Sequence, residues 1–217
     1  MLLIRIIILL SLNYPTSFFE SNIKKEPLEK KIIQPIDFKE PTNVSSIDIS
    51  CKAIKAKQFC IENELNQQIC LLIDFSIHSG KNRLFIYDFN LDSIIGKALC
   101  THGFCDNLAL KDTTIKFSNV PESYCSSLGK YKIGKRGYSS FGIHINYRLH
   151  GLEKTNSNAF KRNIVLHSWD GLDDNEIYPL EAPNSLGCPS VSNNKMRILD
   201  TLLKKSKKPM LMWIYNK

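Results

Sequence analysis

A histidine and a cysteine near the C-terminus could form a catalytic pair. His167 closes the apolar stretch NIVLH, and Cys188 follows about 21 residues later within SLGCPSV. Cysteine attacks as the thiolate, and a free thiol with a pKa of about 8.5 needs a neighbouring base or positive dipole to reach that form at neutral pH. A strand over NIVLH would carry the imidazole to the rim of a sheet. There it could serve as the base for a cysteine on an adjacent loop.

The residues on either side of Cys188 suit a nucleophile. Gly187 allows a close approach of backbone and substrate, and Pro189 fixes one backbone dihedral angle. The backbone N–H groups around Gly187 and Cys188 could stabilise a developing oxyanion. The spacing alone fits a second interpretation equally well, in which a core histidine and an ordinary cysteine occur by chance.

The elements that would position this pair form a mainly β domain with a few helices. Residues 47–66 lack glycine and proline and space their apolar side chains at intervals of three and four, which predicts a helix capped by Ser45, Ser46 or Asp48. A second helix is predicted over NNKMRILDTLLKKS, with Asn193 or Asn194 as its cap. Short apolar runs separated by turn signals predict strands, in QICLLIDFS, NRLFIYDFN, IIGKALCTHGFC, TTIKFSNV, GKYKIGKR, FGIHINYRLHGL, RNIVLHSW and KPMLMWIYN.

The N-terminal segment predicts export. Residues 1–19 contain an apolar run of roughly a dozen residues interrupted by Arg5, which is short for a membrane span of about 20 residues and typical of a signal peptide. An uncleaved anchor that contacts the membrane remains the alternative. Residues 20–46 carry three prolines and many charges, which indicates a linker, and residues 47–217 then form the catalytic or binding domain. We therefore expect a periplasmic or cell-envelope protein.

The chain has seven cysteines, and export permits disulfides among them. Six lie in the first two-thirds of the chain, and Cys188 stands alone in the last third. An odd number leaves at least one thiol unpaired. We expect up to three disulfides among the first six cysteines, although several could instead be buried small apolar residues, and the sequence does not determine the pairing.

The formal net charge is +8. A basic exported protein is attracted to an anionic polymer of the cell surface. Nucleic acid is not an expected partner, because no nucleic-acid-binding motif accompanies the basic clusters.

The stretch SLGC, preceded by a histidine-bearing strand, resembles the S-x-G-C signature of the YkuD-type L,D-transpeptidases. The similarity is closer to the branch called murein L,D-transpeptidase catalytic domain-like proteins. It covers about residues 70 to 217 through segments that occur in the same order. These segments are LLIDFSIHSGKNRLFIYDFN, THG, FSN, SSLGKYKIG, LHGLEKTNSNAFKRNIVLH and SLGCP.

This resemblance implies a fold and a reaction. The fold would be a YkuD-like β-sandwich or barrel, with Cys188 as nucleophile, His167 as general base, and Ser185 and Gly187 completing the signature. The family cleaves the bond after the third residue of a peptidoglycan stem tetrapeptide and holds the stem as a thioester. An amine from another stem, or from a wall-attached protein, then resolves the thioester. No cofactor and no metal are expected.

Some residues depart from the family pattern or have two possible roles. The family usually has glycine after the histidine, whereas this chain has Ser168 and then Trp169. Ser168 could narrow the substrate site or bond to His167, or be a surface replacement. Trp169 could form a pocket wall or cover the core.

Two further residues of the similar segments could contact substrate. His102 in THG could line the cleft, or belong to a structural turn beside a Cys100–Cys105 bridge. Arg162 could bind a stem carboxylate, or hold a loop together with Glu153. A zinc site formed by His102, His167 and Cys188 is a weaker hypothesis, because the residues lack the paired spacing of metal ligands.

Two other functions stay open. Water could resolve the thioester, which would make the protein an L,D-carboxypeptidase or endopeptidase with the same catalytic pair. Alternatively, the protein could bind the cell wall without catalysis. In that case all seven cysteines are structural, and Cys188 is either bridged or inert.

Overall fold

The computed structural model describes residues 46–105 and 115–217. The signal peptide or anchor predicted at residues 1–19, and all of the predicted linker at 20–46 except its last residue, lie outside these ranges. Within the described ranges, no helix has the length and apolar character needed to cross a membrane.

The described residues form a mainly β domain with two α-helices, as predicted. Its eight strands belong to one mixed sheet with the order β3-β2-β1-β8-β4-β5-β6-β7. The helices are α1 (Ser46–Glu62), before β1, and α2 (Asn193–Lys205), between β7 and β8. The strands are β1 (Ile69–Asp74), β2 (Leu84–Asp88), β3 (Ser93–Ala98), β4 (Gly129–Tyr138), β5 (Ile145–Gly151), β6 (Val165–Ser168), β7 (Ser190–Val191) and β8 (Leu211–Tyr215).

The two edges of the sheet are joined by the chain that leaves β3. The Thr101 N–H donates to the carbonyl of Ser190 in β7 at 3.0 Å, and Gly103 forms an isolated bridge with Ser185. These bonds connect the segment after one edge strand to the strand at the opposite edge. The sheet is thereby nearly closed into a barrel, and β7 is not left as a free edge.

Strand β1 is apolar up to its last residue, Asp74, because both of its faces are buried. Leu71 and Ile73 belong to the main core, inside the curved sheet. Cys70 and Leu72 belong to a second cluster, which contains α1 residues such as Ala56. A strand covered on both faces appears in the sequence as a continuous apolar run, and this explains ICLLID.

Both helices lie where the sequence predicts them, with different ends. The first ends at Glu62, four residues before the predicted end. The second is capped by Ser192, whose hydroxyl accepts the N–H of Lys195, so the predicted caps Asn193 and Asn194 are wrong. Met196 and Leu199 of its apolar face are buried in the main core, as their spacing predicts.

The strand predicted over TTIKFSNV is wrong for the residues that the structure describes. From Ile115 onwards the segment makes one isolated bridge, between Phe117 and Ser126. The carbonyl of Ser118 accepts from the hydroxyl of Ser127 and the guanidinium of Arg162. Side chains therefore satisfy backbone groups that a neighbouring strand would otherwise satisfy.

One disulfide, between Cys105 and Cys125, joins this segment to the chain that follows β3. Cys100 is a buried free thiol, so the Cys100–Cys105 bridge considered from the sequence is wrong. The other five cysteines, all within the described ranges, are free. Cys188 is therefore not the single unpaired thiol that an odd number of cysteines suggests.

Replacing Cys105 and Cys125 together by serine should lower the free energy of unfolding by about 3 kcal/mol, because the disulfide closes a loop with a sequence separation of 20. Denaturant unfolding under non-reducing conditions measures this loss. Cys51→Ser, at an exposed free thiol, is the control and should change stability little. Equal stability of the double variant and the parent would show that the disulfide does not constrain the unfolded chain.

Candidate active site

A cleft of about 500 Å³ opens over the end of the sheet where β5, β6 and β7 lie side by side. It contains both members of the predicted pair, His167 and Cys188. Its lining also includes Tyr138, Ser139, Ser140, Phe141, Asn146, Arg148, Asn163, Val165, Trp169, Asn184, Ser185, Leu186 and Ser190.

Strand register brings the histidine and the cysteine together. Asn146 of β5 pairs with His167 of β6, which pairs in turn with Ser190 of β7. Cys188 lies two residues before Ser190, and its sulfur is 3.5 Å from the N–H nitrogen of Val165, two residues before His167. Cys188 precedes β7 and lies in the loop that leads into it. The side chains of His167, Ser190 and Cys188 all line the cleft.

The hydrogen bonds of His167 determine its tautomer. Its Nδ1 lies 2.9 Å from the carbonyl oxygen of Ser168, and its Nε2 lies 2.9 Å from the hydroxyl oxygen of Ser190. A carbonyl can only accept, so Nδ1 carries the proton and Nε2 accepts from the Ser190 hydroxyl. Burial lowers the pKa of His167. The ring is therefore neutral, with its basic nitrogen directed into the cleft.

Cys188 is a half-buried free thiol whose environment holds opposing effects. Burial raises the pKa of its thiol, whereas the N–H of Val165 and the positive charges of Arg162 and Arg148 lower it. The net shift is upward, so the resting sulfur is protonated. The Nε2 of His167 is occupied by the Ser190 hydroxyl in this geometry.

The loop before Cys188 is built around Ser185 and Gly187. The hydroxyl of Ser185 donates to the carbonyl of Cys188 at 2.7 Å and accepts the N–H of Gly187 at 3.1 Å. Gly187 has a φ of +104°, and a Cβ there would lie 2.7 Å from the carbonyl oxygen of Cys125, so only glycine fits. The Gly187 N–H is thus used inside the loop. In the described part of the chain, the Cys188 N–H donates to no backbone carbonyl.

Three polar residues that the sequence did not single out support this site. Thr101 accepts the N–H of Ser190 at 2.9 Å and donates to the carbonyl of Cys188 at 3.0 Å. Ser126 donates to the carbonyl of Gly187 at 3.3 Å. The third is Ser190 itself. Its position two residues after Cys188, on a strand, is the signal that could have revealed it, whereas Thr101 and Ser126 have no local signal.

His102 lies beside the cleft and not among the lining residues. Its Nδ1 accepts from the buried guanidinium of Arg83 at 2.8 Å. Burial, together with the charge of Arg83, lowers the pKa of His102 to about 3, so the ring is neutral. The carbonyl of His102 accepts the N–H of Ser185 at 2.7 Å. His102 is thus connected through its backbone to the loop that runs from Ser185 to Cys188.

Arg162 also lies outside the cleft lining, where it holds the loop formed by residues 118–127. Its guanidinium donates to the carbonyl of Cys125 at 2.6 Å and to the hydroxyl of Ser127 at 2.7 Å. The predicted partnership with Glu153 is wrong, because that carboxylate pairs with Lys130 at 2.6 Å. Arg162 acts on Cys188 through its charge and through the loop beneath Gly187.

Ser168 and Trp169 occupy different surroundings. Ser168 is fully buried, and its hydroxyl accepts the N–H of Ile143 at 2.9 Å, so the surface-replacement alternative is wrong. Its bond to His167 comes from the backbone carbonyl and not from the hydroxyl. Trp169 lines the cleft and also packs on a small apolar cluster that contains Leu172. It therefore both forms a wall and covers the core.

The described residues contain no group of three His, Cys, Asp or Glu side chains that could hold a metal ion. His102 is bonded to Arg83 and lies outside the cleft, so the three residues considered for zinc do not converge.

The fold and the cleft together define a mainly β domain in which a cysteine and a histidine line one cleft. A sequence profile described as the L,D-transpeptidase catalytic domain matches residues 42–215. The chain belongs to this family, and the resemblance seen in the sequence is confirmed. No curated protein matches the chain.

Several solved structures are similar to this chain at low identity. The helical cell shape determining protein Pgp2 of Campylobacter jejuni is 13% identical, with a TM-score of 0.44 over 69% of this chain and 47% of that protein. Bd1075 of Bdellovibrio bacteriovorus is 16% identical, with a TM-score of 0.42 over 70% of this chain and 49% of that protein. An L,D-transpeptidase mutant of Enterococcus faecium is 6% identical, with a TM-score of 0.41 over 68% of this chain and 50% of that protein. The chain therefore spans about half the length of these proteins.

Ser168→Ala should reduce the free energy of unfolding by about 1–3 kcal/mol, because the N–H of Ile143 would lose its acceptor in a buried place. Thermal or denaturant unfolding measures the change. Ser93→Ala, at an exposed serine of β3, is the control and should be nearly neutral. An unchanged stability of Ser168→Ala would mean that the Ile143 N–H finds another partner.

The reactivity of Cys188 should persist to lower pH than an ordinary imidazole base allows. The pKa of His167 is lowered, so the neutral base is present above that pKa and is lost only as pH falls through it, below the usual value of about 6.5. The rate of alkylation by iodoacetamide is followed by mass spectrometry of the Cys188 peptide between pH 4.5 and 10. The pH at which this rate falls on acidification, which we call the acid limb, reports the pKa of His167.

In the same measurement, His167→Ala should lose the acid limb and react only as the thiol itself ionises, above the ordinary thiol pKa of about 8.5 because the pKa of Cys188 is raised. An acid limb with its midpoint at or above pH 6.5 in the parent protein would show that the pKa of His167 is not lowered by burial.

Proposed function

We propose that this protein is an exported L,D-transpeptidase that acts on peptidoglycan stem tetrapeptides, with Cys188 as nucleophile and His167 as general base. The observation that supports it most is the shared cleft, whose lining includes both a free thiol and a neutral imidazole with an unprotonated Nε2. The family match supports the reaction class.

In the first half-reaction, Nε2 of His167 takes the thiol proton as the sulfur attacks the carbonyl carbon of the third stem residue. The carbonyl π electrons move to the oxygen, and the N–H of Cys188 stabilises the resulting oxyanion. The oxyanion then collapses, the peptide C–N bond breaks, and the imidazolium returns the proton to the leaving amine. The products are a thioester on Cys188 and a released D-alanine.

In the second half-reaction, an amine attacks the thioester carbon while His167 accepts a proton from it. The tetrahedral intermediate is again stabilised at the Cys188 N–H. Its collapse breaks the C–S bond, and the thiolate regains a proton from the imidazolium. A new amide is formed and the free thiol is restored. The Ser168 carbonyl holds the proton on Nδ1 throughout, so that Nε2 remains the nitrogen that exchanges protons.

The shape and chemistry of the cleft suit a peptide substrate. Phe141, Trp169 and Leu186 supply apolar walls, and Asn163 and Asn184 supply amide groups that can bond to a peptide backbone. The acceptor would be a second stem peptide or a wall-attached protein. Because the substrate is extracellular, the proposal includes export to the periplasm or cell envelope, with membrane contact if the N-terminal segment stays uncleaved.

Intact-protein mass spectrometry after incubation with purified stem tetrapeptide tests the proposal. The parent protein should gain the mass of the acyl stem and release D-alanine, whereas Cys188→Ala should gain nothing and remain folded, because it lacks the sulfur that forms the thioester. Cys51→Ala, which removes an exposed thiol on α1, is the matched control and should be acylated normally.

The products decide which acceptor resolves the thioester. Cross-linked dimers would support transfer to an amine. Trimmed monomers alone would show that water is the acceptor and that the enzyme is an L,D-carboxypeptidase. Acylation of Cys188→Ala, or failure of the parent to be acylated, would overturn the assignment of Cys188 as nucleophile.

A further inference from the structure

The cleft carries one kind of charge. Arg148, on β5, is the charged side chain among its described lining residues, and none of these residues is acidic. The remaining polar groups of the lining are amides, hydroxyls, the imidazole and the thiol. A cleft with an uncompensated positive charge favours a negatively charged ligand.

The guanidinium of Arg148 has no anionic partner in the described part of the chain. It lies over the ring of Phe160, 4.5 Å from the centroid, which holds the side chain in place without using its N–H donors. Two arginines outside the cleft lining are occupied by comparison, since Arg83 donates to the carbonyl of Cys100 and Arg136 pairs with Asp200. Arg148 thus keeps a planar set of donors for a ligand.

Strand register places this charge at a defined distance from the nucleophile. Arg148 pairs with Val165 across β5 and β6, and the N–H of Val165 contacts the sulfur of Cys188. Arg148, Val165 and Cys188 therefore form one row across three adjacent chain segments. At about 4.8 Å between strands, the backbone of Arg148 lies roughly 10 Å from that of Cys188. A long side chain and one substrate residue together can span this gap.

The proposed substrate has a negative charge at this distance. When a peptide loses a single terminal residue, its terminal carboxylate carbon follows the scissile carbonyl carbon by three bonds, C–N, N–Cα and Cα–C. The guanidinium fork can donate two parallel hydrogen bonds to such a carboxylate. A longer peptide would place an uncharged amide in the same position and leave the arginine unpaired.

We propose that Arg148 binds the terminal carboxylate of the residue that leaves, and so restricts the cleft to peptides that end one residue after the scissile bond. The inference rests on the proposed function and adds to it the group that selects the tetrapeptide.

The experiment compares two substrates that differ at one group, a stem tetrapeptide with a free C-terminal carboxylate and the same peptide as a C-terminal carboxamide. Initial rates of Cys188 acylation are measured by mass spectrometry as kcat/KM. The parent protein should prefer the carboxylate by about 10- to 100-fold, the range expected for hydrogen bonds to a charged group. Arg148→Gln should reduce this preference to about one.

Two further variants separate recognition from simpler effects. Arg148→Lys keeps the charge but not the fork, so it should retain part of the preference. Arg197→Gln makes the same chemical change on α2, outside the cleft lining, and should behave as the parent. Loss of the Arg148 charge also alters the thiol of Cys188, but that effect acts on both substrates equally and cancels in the ratio.

The outcomes distinguish this inference from the proposed function. If the parent acylates neither peptide, the proposed function fails. If the parent acylates the tetrapeptide and Arg148→Gln keeps the parent's preference for the carboxylate, the function stands and the role of Arg148 is overturned. Iodoacetamide labelling of Cys188 in Arg148→Gln, with the buried thiols of Cys60, Cys70 and Cys100 left unlabelled, verifies that the variant is folded and still holds a reactive thiol.

Discussion

The site depends on the parallel pairing of β6 with β7. That pairing sets His167 opposite Ser190. The loop just before β7 then brings the sulfur of Cys188 to the N–H of Val165 on β6. Strand β7 has only two residues, which is too short to hold its register through ladder bonds alone. Two hydrogen bonds to Thr101 stabilise this register. The N–H of Thr101 donates to the carbonyl of Ser190, and the hydroxyl of Thr101 accepts the N–H of Ser190. The segment that nearly closes the barrel is thus also the segment that holds the backbone of Cys188.

The electrostatics of the site follow from its burial. The pKa of the thiol is raised and that of the imidazole is lowered, so each group is held in its neutral form at rest. A neutral pair costs less to bury than a thiolate and an imidazolium, because isolated charges lose their hydration. In the proposed reaction, charge would develop during the attack, where the Cys188 N–H and the nearby arginines could stabilise it. The resting site avoids the cost of burying isolated charges, and His167 rests in the form that the proposed base requires.

The buried polar side chains around the loop that contains Cys188 are paired by hydrogen bonds. Arg83 is fully buried, yet it donates to the Cys100 carbonyl and to His102, whose own carbonyl holds Ser185. On the other side, Arg162 bonds to the carbonyl of Cys125, directly below Gly187. An unpaired buried polar group would cost several times the net value of such a bond. These hydrogen bonds therefore favour one position of the loop formed by residues 185–188.

Much of this protein was predictable from local patterns in the sequence. Apolar runs and three- to four-residue spacing predict the strands and both helices, because these periods follow from backbone geometry. His167 and Cys188 were found because their neighbours carry an ordered set of family-like segments. The predicted helix caps Asn193 and Asn194 were wrong because a serine one residue earlier had better access to the free N–H groups.

Tertiary structure alone decided the rest. The bond from Ser190 to His167, the support from Thr101 and Ser126, and the pairing of Cys105 with Cys125 all join segments distant in the chain. The position of Arg148 in the cleft depends on strand register. A residue's type limits which bonds it can make. Which partner it meets is determined by the closure of the sheet, because no local pattern encodes contacts between strands that lie far apart in sequence.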